Sequence, residues 1–218
     1  MLKTVTVVPT LMTDNKQVYR NLAEIFNTFT RRVQIDVTDD DFTPNRTLDI
    51  TNVWWPNDWQ ADLHFMALHP SKYIDTILKL RPSLCILHAE ADEDLTPIFA
   101  KLKAANIKTG LALLPQTYPG KVKKYLETID HVLIFAGSLG QQGTGSDLMQ
   151  MEKIPLIREI RPTVEIGWDG GANMSNIRAL AHSGLDVINV GAAISKADDP
   201  AAAFRMLKSE IDKNGVVV

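Results

Sequence analysis

Val33-Gln34-Ile35-Asp36-Val37-Thr38-Asp39-Asp40-Asp41-Phe42-Thr43-Pro44-Asn45 opens as a strand and closes as a loop. Val33, Ile35 and Val37 are β-branched and apolar, and they alternate with Gln34, Asp36 and Thr38 at the two-residue period of a strand. Three consecutive acids and a Pro-Asn pair then end it, because a strand interior tolerates neither. Asp36 therefore falls near the carboxyl end of a strand with a polar loop beyond it. In parallel α/β proteins ligands bind at that end. The competing interpretation of this stretch by itself is a solvated acidic loop after an edge strand.

The same kind of unit recurs on both sides. Upstream, Val5–Val8 is a strand closed by Pro9. Asp14 or Asn15 caps a helix in which Val18, Leu22, Ile25, Phe26 and Phe29 recur at helical spacing. Downstream, residues 48–60 are rich in Trp, Pro, Asn and Asp and predict a loop with at most a degenerate helix. Strands follow at Ala61–Met66, Leu84–His88, Lys108–Leu113, His131–Ala136, Val164–Asp169 and Val187–Val190. Helices are expected from Pro70, with Tyr73, Ile74, Ile77 and Leu78 facing inward, and over Pro97–Ala105, Lys121–Thr128 and Asp147–Arg161. Another is expected before Gly184, capped by Asn173 or Ser175, and a last one from Pro200 to Asn214-Gly215. Eight strand–helix alternations with connections of a few residues predict a parallel sheet covered by helices. Residues 1–218 thus fit one α/β domain, a closed (β/α)8 TIM barrel. A doubly wound sheet of the dinucleotide-binding kind is disfavoured, because the first turn is Pro9-Thr-Leu-Met-Thr13 without Gly-x-Gly-x-x-Gly.

Composition agrees with an ordinary globular enzyme or binding protein. The chain has 218 residues, 45% hydrophobic and 22% charged, with a net charge of −3 and no basic run, which argues against a nucleic-acid partner. The single cysteine, Cys85, sits in the apolar run 84–87 and is expected in the core. No segment approaches a membrane span, and the start lacks the apolar stretch of a signal peptide, so no membrane partner and a cytoplasmic location are expected.

Polar residues collect at predicted strand ends. Thr10, Gln34, Asp36, Asp39, His64, His88, Glu90 and Asp169 all fall there. Two carboxylates and an imidazole can hold a divalent metal, and two carboxylates on opposite sides of a carbon can move protons on its two faces. A packed core histidine is the competing view of His64, and the preferred one for His69, His131 and His182. His88 with Glu90 is expected to line the pocket wall. Glycine loops form a second group: Gly140 and Gly143 in the loop 137–145, Gly170-Gly171, and Gly191-Ala192. Loops after the last strands of such barrels commonly bind phosphate through backbone N–H groups.

Over nearly its whole length the chain resembles ribulose-phosphate 3-epimerases. Asp62-Leu-His64-Phe-Met66, His88-Ala-Glu90-Ala91 and Asp169-Gly170-Gly171 reproduce family patterns, and the strand-two pattern is kept in part, with Gln34 in place of its histidine. Pro9-Thr10 and Gly191-Ala192-Ala193 stand where the family has Pro-Ser and Gly-Ser-Ala. The resemblance implies metal-assisted proton transfer at C3 of a ketopentose 5-phosphate, with a sugar phosphate as partner. Asp36 and Asp169 would be the acid–base pair. Asp36, His64, Asp169 and Gln34 would hold a divalent ion (Mn, Mg, Fe or Zn). Thr10, His64, Gly140, Gly143, Gly170, Gly171, Gly191 and Ala192 would contact substrate and phosphate. A homo-oligomer is expected. Gln34, which replaces a ligand histidine, predicts a weakly held metal, coordinated in part through an amide oxygen. Thr38, Leu114, Ala192, the loop after strand six and the short Trp-rich segment also depart from the family form. The alternatives are an epimerase of a different ketose phosphate and a catalytically impaired sugar-phosphate-binding barrel. Decarboxylase and aldol-type relatives on the same barrel carry Asp-x-Lys-x-x-Asp after strand three, and His64 at the lysine position argues against them.

Overall fold

In a parallel barrel one face of every strand packs inside and the other against helices, so side chains two apart share a face. Gln34 and Asp36 therefore point inward from β2 (Arg32–Thr38), while Val33, Ile35 and Val37 join the core beneath the helices. The computed structural model describes residues 5–43, 47–139, 141, 143 and 145–212. The other strands are β1 (Thr6–Leu11), β3 (Gln60–Met66), β4 (Leu84–His88), β5 (Lys108–Leu113), β6 (His131–Phe135), β7 (Glu165–Asp169) and β8 (Val187–Val190). They pair in sequence order and close as a barrel, β8 returning parallel to β1. The register sets Asp36 beside His64. Leu84, Ile86, Ala112 and Leu133 pack together as a small cluster of their own inside the barrel.

The helices are α1 (Lys16–Asn27), α2 (Ile74–Leu80), α3 (Thr96–Ala104), α4 (Lys123–Leu126), α5 (Lys153–Ile160), α6 (Ile177–His182), α7 (Ala192–Ser195) and α8 (Pro200–Ile211). The Asn15 side chain accepts from the N–H groups of Gln17 and Val18 and starts α1. Asp199 caps α8 through the Ala202 N–H. A 3-10 turn at Ile50–Asn52 is the only helical piece between β2 and β3 among the described residues. That segment is fixed by side chains instead: Tyr19 donates to the Trp54 carbonyl at 2.5 Å, and the Trp59 indole donates to Asn27 at 2.9 Å.

Several sequence expectations are corrected. Pro9 lies inside β1 rather than ending it. β1 pairs with β8 through Thr6–Pro9 and with β2 through Thr10 and Leu11, so the residue without an N–H sits where pairing passes from one neighbour to the other. α1 buries Tyr19, Ala23 and Phe26, whereas Val18 and Ile25 are exposed, because Tyr19 is drawn in by its bond to Trp54. α7 was not anticipated, since four residues carry no periodicity. His131 is buried as expected; His69 is partly buried and His182 exposed. Gly140, the Pro44-Asn45 turn and the Asn214-Gly215 helix end fall outside the described residues. Among the described residues no helix is long and apolar enough to cross a membrane.

Candidate active site

Three strands bring Asp36, His64 and Asp169 to the carboxyl end of the barrel. His64 Nδ1 lies 3.1 Å from Asp36 Oδ1 and 3.5 Å from Asp169 Oδ2. One ligand atom from each of the three falls within 4.8 Å of the others. From one pleat below, Gln34 reaches up and its Nε2 donates to Asp36 Oδ1 at 2.9 Å and to Asp169 Oδ2 at 2.6 Å. All four side chains are buried or nearly so.

Burial and the facing Asp169 carboxylate push the Asp36 pKa up, against hydrogen bonds from His64 and Gln34 that favour its charged form. Burial would keep His64 neutral, but its bonds to Asp169 and Asp36 win and raise it to about 9. His88 behaves oppositely. Burial lowers it to about 4 despite its bond to Glu90. Burial alone would raise Glu90, yet hydrogen bonds from His88, Thr117 and the Leu114 N–H hold it below the usual carboxylate range.

Asp36, His64 and Asp169 fit a divalent ion, two anionic oxygens and one imidazole nitrogen converging on a point. The fourth expected ligand does not present itself as one. Gln34 turns its amide nitrogen, not its oxygen, toward the carboxylates, because carboxylate oxygens attract N–H donors and repel a carbonyl. Its Oε1 is left buried with no hydrogen-bond partner. A half-turn of the amide would exchange the two atoms, and a cation between the carboxylates would make that exchange favourable.

A cavity of about 350 Å³ opens above the cluster. Asp36 and Asp169 line it, together with Thr10, Gly143, Gly170, Gly171, Gly191 and Ala192. His64 lies fully buried beneath the carboxylates rather than in the cavity lining. His88 and Glu90 are likewise absent from its wall; His88 backs His64, ring nitrogen to ring nitrogen at 2.9 Å. The Gly-Gly pair was expected to admit a ligand, but its tightest contacts are to protein. A Cβ on Gly170 would lie 2.1 Å from the Gly137 nitrogen, and one on Gly171 2.8 Å from the Gly145 carbonyl carbon; both have positive φ. Sequence reasoning missed Met12, Phe135, Asn173 and Asn189 in the lining. Asn189 had a signal, as the one polar side chain in the run Val187–Val190. It is buried with its Oδ1 unbonded.

Comparison with known proteins matches this arrangement to an established family. A profile of the ribulose-phosphate 3 epimerase family matches residues 6–195. Ribulose-phosphate 3-epimerase from Schizosaccharomyces pombe is 27% identical over 187 residues, covering 83% of this chain and 82% of its own. That from Helicobacter pylori is 28% identical over 184 residues, covering 81% and 85%. Among solved structures, a 3-hexulose-6-phosphate synthase superposes with a TM-score of 0.72 at 19% identity, covering 95% of this chain and 99% of its own, a likeness of fold alone. The barrel, the paired aspartates above His64 and the match across most of its length place this chain in the ribulose-phosphate 3 epimerase family.

Proposed function

We propose that this protein epimerises a ketopentose phosphate of the ribulose 5-phosphate type at C3, with Asp36 and Asp169 as the acid–base pair. The observation that carries this reading is that both carboxylates face one glycine-walled cavity while His64 and Gln34 hold them together from below. One aspartate takes the C3 proton as the C–H electron pair moves into the C2 carbonyl, giving an enediolate. The other returns a proton to C3 from the opposite face, and in the reverse reaction the roles exchange. Burial and Asp169 push the Asp36 carboxyl up from the usual carboxylate range, the direction a proton-carrying acid requires. Lewis-acid stabilisation of negative charge on the substrate oxygens is what a divalent ion held by Asp36, His64 and Asp169 supplies when bound. With one nitrogen and mainly oxygen donors, the cluster favours Mn²⁺ or Mg²⁺ over Zn²⁺, and weakly.

Backbone N–H groups at the Gly170, Gly171, Gly191 and Ala192 turns are the proposed phosphate contacts, since Ala192 offers no hydroxyl. His64 at the position of a lysine argues against the synthase chemistry of the structural neighbour. The test is solvent deuterium incorporation at C3 across a panel of ketose phosphates with added Mn²⁺. Incorporation with inversion establishes the epimerase. Binding of the panel without exchange would move the impaired, sugar-phosphate-binding alternative ahead.

A further inference from the structure

Behind His64 runs a buried hydrogen-bonded chain that proton transfer at C3 does not use. Glu90 is its outer end. Oε1 of Glu90 accepts from the Leu114 N–H at 3.1 Å, and Oε2 lies 3.2 Å from His88 Nδ1. His88 Nε2 lies 2.9 Å from His64 Nε2. His64 Nδ1 then meets the two aspartates. Phe42 and Phe135 flank His88 at ring-centroid distances of 4.8 and 6.0 Å, and both histidines have no exposed surface. Lys153, itself fully buried, donates to the Leu114 carbonyl at 2.7 Å and to the Pro115 carbonyl at 3.2 Å, so the residue whose N–H holds Glu90 is anchored on its carbonyl side.

The direction of every bond in this chain follows from its outer end. A carboxylate only accepts, so the proton on His88 must sit on Nδ1. Neutral His88 then has a lone pair on Nε2. Two ring nitrogens in hydrogen-bond contact cannot both accept, so His64 Nε2 must carry a proton. With Nε2 fixed as a donor, the Nδ1 proton that His64 shares with Asp36 and Asp169 is the one that leaves when a cation takes its place. We propose that Glu90 is a positioning residue: acting through His88, it fixes the tautomer of His64 that leaves Nδ1 free for a cation. The metal half of this inference rests on the proposed function; the tautomer half does not.

The role is specific to an acceptor at position 90. In Glu90→Gln the amide can turn either way. With its NH2 toward His88 the chain reverses, His88 Nε2 becomes the donor, His64 Nε2 must accept, and the one proton His64 retains is on Nδ1, where it blocks the ligand atom. Outer partners of metal-binding histidines typically change affinity by roughly 10–100-fold.

The experiment reads ¹⁵N shifts of the histidine rings in metal-free protein, and Mn²⁺ affinity by the EPR signal of the free ion, for the unmodified protein and Glu90→Gln. The expected result is an Nδ1–H tautomer of His88 in the unmodified protein and a mixture in Glu90→Gln, with Mn²⁺ bound about 10–100-fold more weakly. His88→Gln, whose amide can accept from His64 and donate to Glu90, should hold Mn²⁺ better than His88→Leu. A merely packing role for the chain would not order the variants that way. An Nε2–H tautomer of His88 in the unmodified protein, or no tautomer change in Glu90→Gln, overturns the proposal. Scrambled tautomers with no Mn²⁺ binding by any form would sink the metal-holding reading and leave the relay standing.

Discussion

The two ends of this barrel hold similar side chains in opposite states of charge balance. At the amino end, Arg32 donates through Nε to Asp62 at 2.7 Å and through both Nη atoms to Glu165 at 2.9 and 2.7 Å, and His131 Nδ1 meets Glu165 at 2.8 Å. Gly167 leaves room for that imidazole, whose Nε2 would lie 2.7 Å from a Cβ there. Arg32 and Asp36 share one face of β2, roughly 13 Å apart at a strand's rise. At the Asp36 end, among the described residues, the ion-pair partner of both carboxylates is an imidazole, not a guanidinium. Two carboxylates are held together by an imidazole and a neutral amide. Burial and Asp169 raise Asp36, whereas hydrogen bonds and charges from Arg32 and His131 overcome burial and lower Glu165. An acid cluster closed by arginine seals a barrel. One held by an imidazole and an amide is open to a proton or a metal.

The sharpest break of that contrast is Asp36→Asn or Asp169→Asn. Either should lower C3 hydrogen exchange by about 10²–10⁴-fold while leaving the melting temperature unchanged or higher, since repulsion is relieved. A fall in melting temperature with exchange intact would assign the top cluster to the same sealing role as the bottom one. The opposite outcome is expected at the amino end. Arg32→Met strands Asp62 and Glu165 and should cost about 3–5 kcal/mol in urea unfolding, with exchange per folded molecule unaltered. A stability-neutral Arg32→Met would erase the distinction.

A smaller effect should sharpen it. Gln34→His adds an imidazole to the pair and should tighten Mn²⁺ or Zn²⁺ by about 10–100-fold, read as metal content after dialysis. Stoichiometric Zn²⁺ in the unmodified protein would refute a weak site. Smallest is a pH effect. Glu165 has a folded pKa below its unfolded value of about 4.3, so its contribution is present above that pH and is lost as pH falls through the depressed folded value. Glu165→Gln should therefore flatten the loss of urea stability in that acid range. An unchanged slope would mean that the half-exposed Glu165 is screened by solvent rather than held by Arg32.

Most of this barrel was legible because its signals are local. Each strand reads from its own alternation, and β4, β5 and β8 fall where the sequence puts them. Asp36, His64 and Asp169 were legible because a strand's carboxyl end is visible from the loop that follows it. What was not legible depends on distant partners. The Gln34 amide takes its orientation from Asp169, 135 residues away. The amino-end cluster forms only when Arg32 at the start of β2 meets Glu165 at the start of β7, which nothing before barrel closure announces. The inward turn of Tyr19 likewise depends on a carbonyl 35 residues on, in a segment without periodicity.

Gly170 and Gly171 press against Gly137 and Gly145, the two ends of the loop after β6, closely enough that neither tolerates a methyl group. Ser146 adds a bond to the Gly170 carbonyl at 2.7 Å, and the buried Trp168 indole adds another at 3.1 Å. The joint works as a dovetail. A lineage that alters either glycine must rebuild both loops at once, a step single substitutions rarely survive. Gly137, Gly143, Gly170 and Gly171 all line the cavity above the aspartates, so the joint that locks the two loops together also sets the shape of that wall.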